Sequence, residues 1–374
     1  MRIKFNNLYK NFNKSKKIFK NFNSLLKNNE LMGGKYLESF ERKISKYFGT
    51  KYCISVGNGT DAIEIALESL NLKKNSEVIV PANTWISTAS AVIRQNLNLV
   101  FCDIDLQDFN LCLKDLKNKI NKKTSAIIVV HLFGKAAKMN DILKLVKKKN
   151  IKIVEDCAQS SGTKINNKHV GTFGDIGAIS FYPTKNLGAY GDGGCILTNS
   201  NKINLKCRRI KNHGSLLRHD HQLIGRNSRL DNFQALVITE KLKKLNFDIK
   251  KKNYIAQKYI DKLSILKDFI LLPKLYNHEV HSFHQFVIIC KHRNKLKEFL
   301  IKNKIETLIH YPKMLSDLNI FRHNISKNKI TNAKGLGGKL LSLPISSEHK
   351  LKEINYICKK IIFFYEKKIF LRKI

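Results

Sequence analysis

Between about residues 40 and 200, short apolar runs alternate with segments of helical spacing, and this alternation constrains the fold more than any other feature of the chain. Residues 52–56, 77–81, 97–103, 125–131 and 151–155 are rich in Val and Ile without strict alternation, the pattern of strands buried on both faces. Residues 61–70, 85–95, 111–120 and 141–149 between them carry helical spacing. A βαβ series of this kind predicts a mostly parallel sheet covered by helices. Residues 178–182 and 195–198 add two strands around a glycine-rich loop, making seven in all. A long helical stretch over about 229–266 follows. The order then changes to a strand at 284–290, a helix at 295–302, a strand at 306–310 and closing helices. The expected architecture is α/β, with a large domain over 1–248 (N-terminal segment included) and a small C-terminal α+β domain over 249–374.

Composition narrows the function classes. The formal charge is +40, from 69 Lys and Arg against 29 Asp and Glu. A nucleic-acid footprint gathers on one face or tail, often with arginine and aromatics. Here the lysines recur along the whole chain at positions that read as helix surfaces, as in a protein from an AT-rich coding background. No nucleic-acid partner is expected. The eight cysteines show no C-x-x-C spacing and several lie in apolar runs, so they read as buried small hydrophobes in a reducing compartment, with no metal site. The basic N-terminus lacks the apolar core of a signal peptide, and no apolar run reaches the length of a membrane span. Residues 359–374, basic and apolar by turns, read as a closing amphipathic helix rather than an anchor. A cytoplasmic protein with no membrane partner is expected.

Six segments carry candidate chemistry. Gly57-Asn58-Gly59-Thr60 follows a strand and opens a helix. Glycines there let the backbone approach an anion, but the same residues also suit an ordinary turn with Thr60 or Asp61 as helix cap. Trp85, the single tryptophan, follows the next strand and reads either as a ring for stacking on a cofactor or as a core aromatic. Glu155 and Asp156 end a strand that reads as central, where a carboxylate needs a partner. Either suits a protonated pyridine nitrogen, with Gln159 within reach of the same ring, and Asp156 also suits a plain cap or loop role. Lys185 stands between Pro183 and the glycines at 188, 191, 193 and 194, and a lysine in a dry pocket becomes a nucleophile. Paired with the carboxylates upstream, it suggests pyridoxal phosphate chemistry. Residues 225–231 read as a polar loop reaching an anion or as a loop closed by a cap at Ser228, and His310 as a cleft residue or simply an exposed one.

Together these motifs resemble the sugar aminotransferases of the DegT/DnrJ/EryC1/StrS family. GNGTDAIEIAL, VIVPANTW, HLFG, IVEDCAQ, GTFGDIGAISFYPTKNLGAYGDGG, GRNSRLDNFQA, IETLIHYP and LSLPIS occur in the family's order between about residues 31 and 345. The resemblance implies a fold-type-I, aspartate aminotransferase-like enzyme that binds pyridoxal 5′-phosphate and works as a homodimer with shared active sites. Lys185 then matches the Schiff-base lysine, Asp156 the partner of the pyridine nitrogen, and Gln159 the group beside the phenolic oxygen. Trp85 matches the aromatic on the ring face. Gly59, Thr60 and Ser180 match phosphate ligands, and Asn227 a phosphate ligand arriving from the second subunit. His310, with Arg229, falls on the sugar-nucleotide side.

The resemblance further implies ping-pong transfer of the amino group of L-glutamate to a nucleotide-linked keto-sugar, with Lys185 moving the proton, for surface polysaccharide or lipopolysaccharide synthesis. The His310-Tyr311-Pro312 segment matches members acting on a C3 ketone of a 6-deoxyhexose, with a dTDP-linked sugar the implied substrate, although Lys313-Met-Leu-Ser-Asp-Leu318 after it lacks the family's second histidine. Two other readings stand beside this one. One is a sugar dehydratase of the same family, some of which carry histidine in place of the lysine. The other is a basic binding module on a vestigial pyridoxal phosphate fold.

Overall fold

The computed structural model describes residues 2–8, 16–324 and 330–370. Its strands are β1 (Tyr52–Val56), β2 (Glu77–Pro81), β3 (Asn98–Cys102), β4 (Thr124–Val130), β5 (Lys152–Asp156), a short hairpin of β6 (Lys164–Ile165) and β7 (Lys168–His169), β8 (Ile176–Ser180), β9 (Gly194–Thr198), β10 (Ile270–Leu271), β11 (Glu279–Val280), β12 (Phe286–Cys290) and β13 (Leu340–Leu343). Seven form one sheet in the order β1-β9-β8-β5-β4-β2-β3. Both faces are covered, as the apolar runs required. Along β4, Ala126, Ile128 and Val130 enter one core and Ile127 and Val129 the other. Each Ile or Val among them contributes about 1.5–3 kcal/mol on burial.

One strand is reversed. β9 runs antiparallel to β8 and to β1, while the β2–β3, β2–β4, β4–β5 and β5–β8 pairs are parallel. Antiparallel neighbours need no helical crossover, so β8 and β9 are joined by a loop alone, the one that carries Lys185. That loop begins at the carboxyl end of β8, and the ends of β1, β2 and β5 open on the same edge. Ligands bind at this edge in open α/β sheets.

The second core gathers on the sheet β10-β12-β13 and includes Tyr259, Phe286, Ile288, Leu343, Ile354 and Tyr365. The strand expected at 306–310 does not form. Ile3 donates to Lys304 and accepts from Glu306, whereas Leu308 exchanges both backbone bonds with Ser342 of β13. The segment changes partners midway, so no continuous ladder develops. The long helix is Asn232–Leu263, capped by Asp231, whose carboxylate accepts from the Gln234 amide at 2.8 Å, and not by Ser228. Residue 248 lies inside it. Leu245 and Ile249 face the core of the large sheet, and Ile255, Ala256, Tyr259 and Leu263 face the second core.

A helix over Leu351–Phe370 closes the described chain, and residues 371–374 of the basic terminal stretch lie outside the described residues. Seven of the eight cysteines are buried, Cys112 being half-buried, and none is paired. Among the described residues no helix is long and apolar enough to cross a membrane.

Candidate active site

The turn after β1 is shaped by a close approach. A Cβ on Gly59 would lie 2.6 Å from Cβ of Ser180 and 2.9 Å from its Oγ, so only glycine lets the helix Gly59–Ser69 begin against the end of β8. Asn58, not Thr60 or Asp61, caps this helix, accepting from the Asp61 amide at 2.9 Å. The Thr60 hydroxyl instead pairs with Ser87 Oγ at 2.8 Å. Helix N-terminal amides and hydroxyls converging on a glycine gap make an anion cradle.

The two carboxylates ending β5 point to opposite faces and have different roles. Glu155 accepts from His131 Nε2 at 3.0 Å and from the amides of Gly171, Phe173 and Gly174 at 2.7–2.8 Å. His131 Nδ1 accepts from the Ala137 amide at 3.1 Å, which leaves the ring proton on Nε2. Every lone pair of Glu155 is therefore occupied. His131, Glu155 and Cys157 have ligand atoms within 4.8 Å of one another, and the same bonds engage both His131 nitrogens and both Glu155 oxygens. Asp156 is buried and has no ion pair among the described residues. Its Oδ2 accepts from Thr88 Oγ1 at 2.8 Å and its Oδ1 from the Ala158 amide at 3.0 Å. Burial raises its pKa, while Thr88, Ala158 and Lys185 oppose the rise.

Lys185 faces this carboxylate from the β8–β9 loop. Burial lowers its pKa to about 8, against the pull of Asp156. The loop is tight and pinned. The Lys185 amide donates to Tyr182 O at 2.8 Å, and a Cβ on Gly188 would meet Pro183 O at 2.4 Å. Asn186 donates to Ser282 O and accepts from Lys252 Nζ, both at 2.8 Å.

Gln159 accepts from the Phe133 amide at 2.9 Å and donates to the Tyr311 hydroxyl at 2.8 Å. The Trp85 ring lies 5.8 Å from that of Tyr311 at 44° and is 59% exposed, so it is no core aromatic. His310 is half-buried with Nδ1 2.8 Å from Ser342 Oγ, and burial, with Lys185 nearby, lowers its pKa to about 4. Asn227 and Arg229 are exposed and bonded to each other at 2.7 Å. Ser228 between them holds the β1 turn, accepting from the Gly57 amide at 2.9 Å and donating to Asp61 at 2.6 Å.

Sequence reasoning missed Thr88, Tyr311, Asn186, Lys252 and His284. Tyr311 and Asn186 lay inside quoted motifs and Thr88 one helical turn beyond Thr84, whereas Lys252 and His284 approach from distant segments. His284 is held well below the ordinary histidine pKa by burial and by the charges of Lys185 and Lys252.

The DegT/DnrJ/EryC1/StrS aminotransferase family matches residues 13–362. The chain belongs to that family. It is 35% identical over 302 residues to the dTDP-3-amino-3,6-dideoxy-alpha-D-galactopyranose transaminase of Aneurinibacillus thermoaerophilus, covering 81% of this chain and 83% of that one. A pleiotropic regulatory protein of Geobacillus stearothermophilus is 35% identical over 93% of this chain and 94% of its own. Among solved structures, S. venezuelae DesV in complex with a ketimine intermediate superposes with a TM-score of 0.93 at 28% identity, covering 96% of this chain and 97% of that one. E. coli GDP-4-keto-6-deoxy-D-mannose-3-dehydratase with bound hydrated PLP gives 0.86 at 26%, covering 93% and 97%. The fold is that of the family's pyridoxal phosphate enzymes, and pyridoxal 5′-phosphate is the cofactor. The site fits it: a cradle that any Cβ on Gly59 would fill, a buried carboxylate with no ion pair among the described residues, and an amine of lowered basicity.

Proposed function

We propose that the protein transfers the amino group of L-glutamate to the C3 ketone of a nucleotide-linked 6-deoxysugar, as a cytoplasmic step toward an amino sugar of a surface polysaccharide or lipopolysaccharide. The observation that carries this reading is Lys185, with its pKa lowered to about 8, opposite the unpaired carboxylate of Asp156 at the carboxyl edge of the sheet. The relative acting on a 3-amino sugar supports the C3 assignment.

Bound pyridoxal phosphate supplies the electron sink for the proton shift next to the transferred nitrogen. Gly59, Thr60 and Ser180 hold its phosphate, joined by Asn227 of the partner subunit in a homodimer with shared sites. Trp85 covers the ring. Asp156 keeps a proton on the pyridine nitrogen, and Gln159 donates to the phenolic oxygen. Lys185 would anchor the cofactor through Nζ and, once released, would take the proton from the donor's Cα, which a strongly basic, permanently charged lysine does poorly. His310 is neutral at pH 7 and has Nδ1 held by Ser342, so it meets the sugar through Nε2 as a hydrogen-bonding group. Arg229 lies on the nucleotide side. The donor leaves as 2-oxoglutarate before the keto-sugar enters, giving ping-pong kinetics.

The test is mass spectrometry of products from a panel of keto-sugar nucleotides supplied with L-glutamate. Exchange of the ketone oxygen for an amino group in a 3-keto substrate is expected. Loss of a hydroxyl without gain of nitrogen would assign a dehydratase instead, and a reaction confined to 4-keto substrates would overturn the C3 assignment.

A further inference from the structure

We propose that Tyr311 is a positioning residue for the cofactor, acting through Gln159 to aim an amide hydrogen at the phenolic oxygen. Gln159 is oriented from both ends. The Phe133 amide is a donor only, so the atom 2.9 Å from it is Oε1, and the orientation of the amide group is settled. Phe133 adopts φ 60° at this turn, the left-handed region that side-chain-bearing residues seldom enter. At the other end Nε2 gives one hydrogen to the Tyr311 hydroxyl at 2.8 Å. A planar amide nitrogen has a single remaining hydrogen, whose direction is fixed once the first is engaged.

The placement of Tyr311 suits this role. Its ring packs beside Trp85 at 5.8 Å and lies against the core of the large sheet, so it borders the space between the residues assigned to the cofactor's face and to its oxygen. Its backbone comes from the other core. His310 next to it is held by Ser342 of β13 at 2.8 Å, and Leu308 exchanges backbone bonds with the same residue. Tyr311 is thus the point at which the second domain sets the geometry of a cofactor contact. The hydroxyl stays protonated, because burial raises its pKa above the ordinary tyrosine range.

The experiment is a pH titration of the visible absorption band of the purified holoenzyme, which reports proton binding at the cofactor. The titratable groups around the site are Asp156, His131, Lys185, His284 and His310, and all are kept in the variants. A hydrogen bond from Gln159 favours the unprotonated phenolic oxygen, so loosening it raises the midpoint. Tyr311→Phe removes the hydroxyl alone and is expected to move the midpoint up by about one pH unit. Gln159→Ala is expected to move it at least as far, and the double variant no further than Gln159→Ala. An unchanged midpoint in Tyr311→Phe overturns the proposal, as do shifts that add in the double variant. Loss of folding or of the cofactor band in Tyr311→Phe also overturns it, by making the hydroxyl structural. The titration needs neither amino donor nor sugar nucleotide, so a wrong substrate assignment leaves this result intact.

Discussion

The lowered basicity of Lys185 makes a prediction about how the apoprotein takes up its cofactor. Only a neutral amine attacks the cofactor's aldehyde. An amine with a pKa of about 8 is roughly 9% neutral at pH 7, whereas one at the ordinary 10.5 is about 0.03% neutral, a difference of about 300-fold. Stopped-flow absorbance at saturating pyridoxal phosphate measures the covalent step after the cofactor is bound. Its rate is expected to rise about tenfold per pH unit below 8 and to level off above it. Asp156 pulls the Lys185 pKa upward against burial, so Asp156→Asn is expected to lower the midpoint further. Lys185→Arg should give no covalent product and nothing for borohydride to fix. A rate still climbing at about pH 10 would mean a solvated amine and would refute the reasoning. An upward shift in Asp156→Asn would refute the sign of the coupling.

Other substitutions separate structural from chemical roles. Glu155→Gln breaks a buried network with His131 and three backbone amides, so a loss of about 3–5 kcal/mol in stability by denaturant melts is expected, with borohydride still fixing cofactor on Lys185. A variant as stable as the wild type would contradict that structural role. Asp156→Asn should melt close to the wild type yet lose at least about a hundredfold in transfer rate, and wild-type turnover would remove Asp156 from the mechanism. Gly59→Ala forces a Cβ to within 2.6 Å of Ser180, so cofactor affinity measured by fluorescence titration should fall roughly tenfold to a hundredfold. Unchanged affinity would show that the cradle is not built on that contact.

What the sequence made legible follows from the range of the interactions involved. The strands of the large sheet were readable because each is a local apolar run, and the Lys185 loop because proline and glycines punctuate it. The choice between Glu155 and Asp156 was not readable, since both are carboxylates at one strand end. It is made by His131 and by amides 16 to 19 residues downstream, which fill Glu155, while Asp156 takes one local donor, the Ala158 amide, and one distant donor, Thr88. The segment at 306–310 failed as a strand for a related reason, because its partners Ile3 and Ser342 lie at opposite ends of the chain. Trp85 reads as a ring for stacking on a cofactor or as a core aromatic until the fold leaves it exposed with Tyr311 beside it. Each motif places one group at the carboxyl edge, but what each group does there depends on which neighbour takes its hydrogen bonds. The reversal of β9 is the clearest case. It replaces a crossover helix with a loop, so Lys185 enters the site on a short tether between two strands and meets Asp156 across the edge of the sheet.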